Sequence, residues 1–264
     1  MNDLAYYAEP GPLTKGAKNL PSDIRELLAA VQDRLVHEPG HPDHPTGHLR
    51  RTDQILAHPD RPLLGSCRHF TLLVVAALRA HGIPARARCG FATYFVPGWH
   101  IDHWVAEYWN DGAWHLADAQ LHPALIADLG IDFDPIDVPR DAFEVAGTTW
   151  LRYRSGDLDP HHCGFPGPDT HGPWWIASNL IRDTAALSKL ELLPWDVWGA
   201  MPGPTDPLTD DLTTLLDNLA TLTTNPETAA DSRALYPTEP LQVPDKVFNF
   251  LRKADEPVLT SETL

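Results

Sequence analysis

The stretch LLGSCRHFTLLVVAALRAHGIPARARCG, residues 63–90, decides the fold reading, because it sets a cysteine where a loop turns into a buried helix. Ser66 can cap a helix whose apolar face is Phe70, Leu73, Val74, Ala77 and Leu78, and Gly82 followed by Pro84 ends it. Cys67 then lies on the first turn, where unpaired N–H groups and the positive end of the helix dipole favour negative charge on sulfur. The opposing reading is a small buried apolar cysteine, the commoner fate of the residue. Beyond the helix, Ala85, Ala87, Cys89 and Phe91 alternate with Arg86, Arg88 and Gly90. That is the period of a strand, and it puts Cys89 in the core.

The next segment, HIDHWVAEYWNDGAWHLADAQL (residues 100–121), reads as two strands around an Asn110-Asp111-Gly112 turn. With Asp111 and Gly112 as the central turn residues, Asn110 faces Ala113 and His103 faces Gln120. Asp118 becomes the diagonal neighbour of His103 on the same face, about 7–8 Å away between backbones. Trp104, Ala106 and Tyr108 belong to the opposite face, as does Asp102, and a one-residue slip would separate Asp118 from His103. Cysteine, histidine and aspartate are the types that supply a nucleophile, a proton carrier and an orienting carboxylate.

Composition narrows the classes. A chain of 264 residues with 43% hydrophobic content can fill the core of one large domain, or of a core domain with an extension. Twenty basic residues against 36 acidic ones leave a formal charge of −16, which opposes phosphate backbones and anionic lipid. No nucleic acid and no membrane partner is expected. The first residues, MNDLAYYAEPGPL, show neither a basic nor an apolar leader region, and no apolar run reaches about 18 residues. A cytoplasmic protein is expected. Three cysteines leave at least one free thiol. His37, His41, His44 and His48 fall in the Pro/Gly-rich loop HEPGHPDHPTGH, and Cys163 in the similar DPHHCGFPGPDTHG. Neither has the regular face or cysteine partners of a metal site, so no metal and no cofactor is expected.

GSCRHFTLLVVAALRAHGIPAR (65–86), HWVAEYW (103–109) and WHLADAQ (114–120) together resemble the transglutaminase-like superfamily, a papain-like group that includes transglutaminases and peptide N-glycanases. The resemblance implies an α+β fold: a core in which a helix opens with the cysteine and packs on an antiparallel sheet. It also implies that Cys67, His103 and Asp118 are the catalytic residues. Two departures bear on substrate preference: His69 stands where many relatives carry an acidic residue, and Ala119-Gln120 where they carry Pro-Thr. The Cys67 N–H and an upstream side chain are the expected oxyanion donors, with Gln54 in RTDQILAHPD the candidate and a polar helix face its other reading. His69 is expected at the surface or the edge of the core. The function implied is a thiol-dependent amide or peptide hydrolase, or an acyltransferase, acting through a Cys67 thioester on a small-molecule or peptide amide. The alternative is a non-catalytic binding module of the same fold. No acidic, glycine-punctuated calcium loop is evident.

The boundaries expected are 1–121 for an N-terminal helix, the His-rich loop and the core, and 122–264 for a helical C-terminal elaboration packed on that core as one unit. Ile24, Leu27, Leu28, Val31 and Leu35 predict the first helix, behind Ser22. In the extension, helices are expected over AFEVAGTTWLRYRSG (142–156) behind Asp141, over WWIASNLIRDTAALSKLELL (174–193), through Leu212–Leu222, and over DKVFNFLRKA (245–254). Trp150, Trp174, Trp175, Trp195 and Trp198 either bind these helices to the core or wall a cleft. Arg152, Arg154 and Arg182 are surface residues or carboxylate partners.

Overall fold

A computed structural model describes residues 3–38, 40–58 and 62–259. In chain order the elements are α1 (Asp3–Ala8), α2 (Ile24–Arg34), β1 (Leu35–His37), α3 (Thr52–Ala57), β2 (Leu63–Gly65), α4 (Cys67–Ala80), β3 (Ala85–Ala92), β4 (His100–Asn110) and β5 (Ala113–Ala117). There follow α5 (Pro123–Leu129), β6 (Phe143–Val145), α6 (Ala146–Ser155), β7 (Cys163–Gly164), α7 (Pro173–Leu187), β8 (Asp196–Val197), α8 (Asp210–Thr223), β9 (Lys246–Asn249) and β10 (Ala254–Pro257).

The fold is α+β, centred on an antiparallel sheet of order β5-β4-β3-β6, with β7 added parallel to the start of β4. The β4–β5 register sets Asn110 opposite Ala113, and Asp111 and Gly112 both take positive φ (47° and 86°). This is the twist-matched two-residue turn that the Asp-Gly pair favours. Helix α4 is buried from Cys67 to Arg79, apolar on nearly every side, and packs on β4. Trp104, Ala106 and Tyr108 share one apolar cluster with α4, whereas Val105, Leu116 and Phe143 form a second cluster. The strict alternation along β4 therefore aims His103 away from the Trp104 face.

Several expected elements differ. Asp23, not Ser22, caps α2, with its Oδ1 accepting from the N–H groups of Arg25 and Glu26 at 3.0 and 3.1 Å. Residues Phe143–Val145 are a strand because they complete the open edge of β3, which leaves α6 to begin at Ala146. Helix α7 stops at Leu187, since Lys189 adopts a left-handed conformation (φ 63°) that turns the chain away. Residues 246–257 form the β9–β10 hairpin, where Val247 and Asn249 point inward with the period of a strand. Their short apolar run has no helical stripe to bury.

The extension reaches the sheet through charged as well as apolar groups. Glu107 on β4 accepts from Arg86, Arg88 and Arg140, and these cations hold its carboxyl far below the usual carboxylate range against the opposing cost of burial. Arg79 of α4 pairs with Glu191 at 2.7 Å, and Tyr7 of α1 donates to Leu187 O at 2.9 Å. Arg152 and Arg154 pair with Glu144 and Asp217, the second pair at the surface, whereas buried Arg182 donates to Asn179 Oδ1 and Asp196 O. Among the described residues no helix is long and apolar enough to cross a membrane.

Candidate active site

Strand β2 delivers the chain to α4. Ser66 takes extended dihedrals (φ −81°, ψ 171°) as the N-cap, and its N–H donates to His69 Nδ1 at 3.1 Å. His69 is thus wholly buried, against the expectation of a surface or core-edge residue, because its ring closes the helix start. Burial, then the Arg68 charge, lowers its pKa to about 3 and keeps the ring neutral, so that Nδ1 can accept. Gly65 leaves room for that ring: a Cβ would lie 3.0 Å from His69 Cβ and 3.1 Å from its Cγ, tighter than an ordinary contact. These constraints fix Cys67 at the first position of α4 with 8% of its surface exposed.

The sheet brings the second residue. His103 pairs in register with Gly90 on β3, where a side chain would collide with Glu144 O at 2.2 Å, so the missing Cβ lets β6 close on β3 beside the histidine. His103 Nε2 lies 2.8 Å from Asp118 Oδ2, and Cys67 is a further hydrogen-bond partner of the ring. With Nε2 committed to the carboxylate, Nδ1 is the nitrogen left for the thiol. His103 and Asp118 are 2% and 1% exposed. Asp118 follows β5 directly and is held by three donors: His103 Nε2, Tyr94 Oη at 2.7 Å on the same Oδ2, and the Gln120 N–H at 2.9 Å on Oδ1.

The electrostatics follow from this packing. Burial opposes the imidazolium, but the Asp118 charge and hydrogen bond, aided by Cys67, raise His103 to about 10. Burial also opposes the Asp118 carboxylate, and His103, Tyr94 and the Gln120 N–H overcome it to lower its pKa. An aromatic wall surrounds the ring, with Phe95 at 4.9 Å and Phe143 at 6.2 Å between centroids, both edge-on. At the rim, the protein packed around the part-open His37 ring, then the charge of His103, lowers His37 to about 4.

The structure therefore brings Cys67, His103 and Asp118 together. Gln54 lies at the start of α3, where its Oε1 accepts from the Arg51 N–H at 3.2 Å and its backbone N–H donates to Asp53 Oδ1 at 2.9 Å. Asp102 faces the other side of β4, where Trp175 Nε1 donates to it at 2.8 Å. Trp150 and Trp198 are buried and bond to Asp217 and Leu241 O, as structural tryptophans do. Cys89 and Cys163 are buried, and burial raises both, Cys163 to about 12. Cys163 leaves its expected loop because residues 163–164 pair with β4. His48 is used structurally, its Nδ1 lying 2.9 Å from Asn249 Nδ2 and 3.2 Å from Trp195 Nε1. Among the described residues no group of three or more histidines, cysteines and carboxylates is arranged to hold a metal ion. Tyr94 went unnoticed in the sequence, since nothing in the turn ATYFVPGWH (92–100) says that a side chain there folds back onto Asp118.

A family model described as the transglutaminase-like superfamily matches residues 11–119, a span that holds Cys67, His103 and Asp118. A solved structure from Cytophaga hutchinsonii, described as "a Putative Cysteine Protease", aligns over 46% of this chain at 21% identity with a TM-score of 0.37. The chain covers 43% of that protein, less than half its length. No curated protein matches.

Proposed function

We propose that this protein is a thiol-dependent amide or peptide hydrolase, or a transamidase, working through a Cys67 thioester, a reading supported by the match of residues 11–119 to a model of the transglutaminase-like superfamily. The observation that carries the reading is the buried cluster in which Asp118 holds His103 Nε2 at 2.8 Å and Cys67 is a second hydrogen-bond partner of the same ring. In the forward step the Cys67 sulfur attacks the amide carbonyl and its proton resides on His103 Nδ1. The tetrahedral oxyanion collapses, the C–N bond breaks, and His103 returns the proton to the leaving amine. Water or a second amine then gives a proton to His103 and attacks the thioester, the C–S bond breaks, and the thiol is regenerated. Asp118 keeps the ring oriented and offsets its charge throughout. The acyl acceptor decides between hydrolase and transamidase.

The substrate we assign is a small-molecule or peptide amide. Three unpaired thiols suit a reducing compartment, and we place the protein in the cytoplasm. A non-catalytic binding module is the second reading, favoured by one observation: the low exposure of Cys67 and His103 leaves little of the pair open to a substrate. Incubation with an activated ester, p-nitrophenyl acetate, followed by intact mass measurement separates the two. An acetyl adduct on Cys67 that is absent in Cys67→Ala and strongly slowed in His103→Ala supports the enzyme. No adduct at any pH from 5 to 9 leaves the binding module.

A further inference from the structure

Tyr94 stands in the turn between β3 and β4, and its hydroxyl donates to Asp118 Oδ2, the oxygen that also holds His103 Nε2. Its ring lies 6.1 Å from the His103 ring, edge-on, and is itself fixed by Phe95 at 4.6 Å and Phe133 at 5.4 Å. We propose that Tyr94 is a positioning residue of the thiol site, which locks the Asp118 carboxylate and limits how strongly it draws on the His103 ring. This rests on the reading of Cys67, His103 and Asp118 as nucleophile, proton carrier and orienting carboxylate, and adds a fourth member to it.

The physical basis is the sharing of one oxygen. In a dry environment a carboxylate oxygen that accepts two donors spreads its charge over both, so each bond weakens the other's claim. Burial and the Asp118 charge keep the Tyr94 phenol protonated well above its ordinary range, so it acts only as a donor. Without that hydroxyl, Oδ2 would serve His103 alone. The imidazolium would be held more firmly and would give its proton less readily to a leaving amine, which is a poor state for a group that must cycle. Tyr94 also completes a three-point hold on the carboxylate plane with the Gln120 N–H and His103.

The titratable groups that act on His103 are Cys67 from α4, Asp118 beyond β5, Tyr94 from the turn, His37 from β1 and, from the opposite face of β4, Asp102. Among the described residues only Tyr94 shares the oxygen that His103 uses, so its removal has a signature that the others do not. Tyr94→Phe deletes one oxygen and keeps the ring contacts. The readout is the titration of the His103 imidazole by NMR in the full chain, the resonance being assigned by its loss in His103→Gln. The midpoint is expected to rise by about 0.5–1 pH unit in Tyr94→Phe. Incorporation of 3-fluorotyrosine at position 94, a stronger donor of nearly the same shape, is expected to lower it. Phe133→Leu loosens the Tyr94 ring but keeps the hydroxyl, and should leave the midpoint in place. An unchanged or lowered midpoint in Tyr94→Phe, or an equal shift in Phe133→Leu, overturns the proposal. The readout needs no turnover: a shifted midpoint without any acetyl-Cys67 would sink the thiol-enzyme reading alone, whereas acetyl-Cys67 with an unmoved midpoint would sink this inference alone.

Discussion

Arg88 on β3 and Asp183 on α7 form a fully buried two-point pair, Nε to Oδ1 at 3.0 Å and Nη2 to Oδ2 at 2.8 Å. Arg88 lies inside the span matched by the family model and Asp183 outside it. The same carboxylate accepts the Cys89 N–H at 2.9 Å, so α7 also satisfies the sheet backbone. A residue pair of this kind gives the extension a role in holding the sheet that carries His103.

Removing one partner of such a pair leaves a desolvated charge without compensation. Asp183→Ala is expected to lower the unfolding free energy by about 3–5 kcal/mol in urea denaturation, and adding Arg88→Met to it should recover part of that loss because the double substitution takes the other buried charge away as well. A fragment of residues 1–121 lacks α7 altogether and should be insoluble or unfolded. If that fragment is soluble and melts cooperatively, the C-terminal half is a separate domain.

The His103–Asp118 pair makes stability depend on pH in a stated direction. The folded-state pKa of His103 is raised, so its contribution is fully present below about pH 6.5 and is lost as pH rises through about 10. The folded-state pKa of Asp118 is lowered, so its contribution is present above about pH 4 and is lost as pH falls further. Unfolding free energy measured from pH 6 to 10 should therefore decline, and Asp118→Asn should flatten that decline. An equal slope in the two proteins would show that the pair does not carry it.

The helix that opens at Cys67 and the hairpin register were legible because each is set locally: apolar spacing and a cap in the first case, and in the second a turn in which Asp111 and Gly112 both accept positive φ. From the register, the shared face of His103 and Asp118 followed by parity alone. What sequence could not supply is set by distant partners. Phe143–Val145 is a strand because β3 offers an edge, and His69 is buried because the helix start needs an acceptor for the Ser66 N–H. Arg86 and Arg88 alternate like a solvated strand face, yet both are buried, since Glu107 and Asp183 arrive from other elements. Tyr94 belongs to the same class, a turn residue whose partner lies 24 positions away.

Gln54 offers a small, separate test. Its amide oxygen holds the first turn of α3, so Gln54→Ala should cost about 0.5–2 kcal/mol of stability, in the range of lost helix caps. Acetylation of Cys67 by p-nitrophenyl acetate should be unaffected. A loss of rate of about 100-fold or more, with stability intact, would instead mark Gln54 as an oxyanion donor.

The three cysteines give the most direct measurement of the site. Cys89 and Cys163 are buried without any exposed surface, and burial raises both, so iodoacetamide should not modify them in the folded chain. Cys67 has a small exposed surface and a histidine partner, and should be the one labelled, as peptide mass mapping of the three sites would show. At pH 6 the imidazolium beside it is intact, because His103 holds its proton to far higher pH. His103→Ala removes that cation and should slow labelling at pH 6 by about 10-fold or more, while changing it little near pH 9 where thiols ionise unaided. Asp118→Asn should fall between, since the ring keeps its place but loses the charge that stabilises its protonated form. Labelling of Cys67 that rises only with bulk thiol ionisation, and that ignores both substitutions, would mean a thiol that is positioned but not activated, and the binding-module reading would then stand.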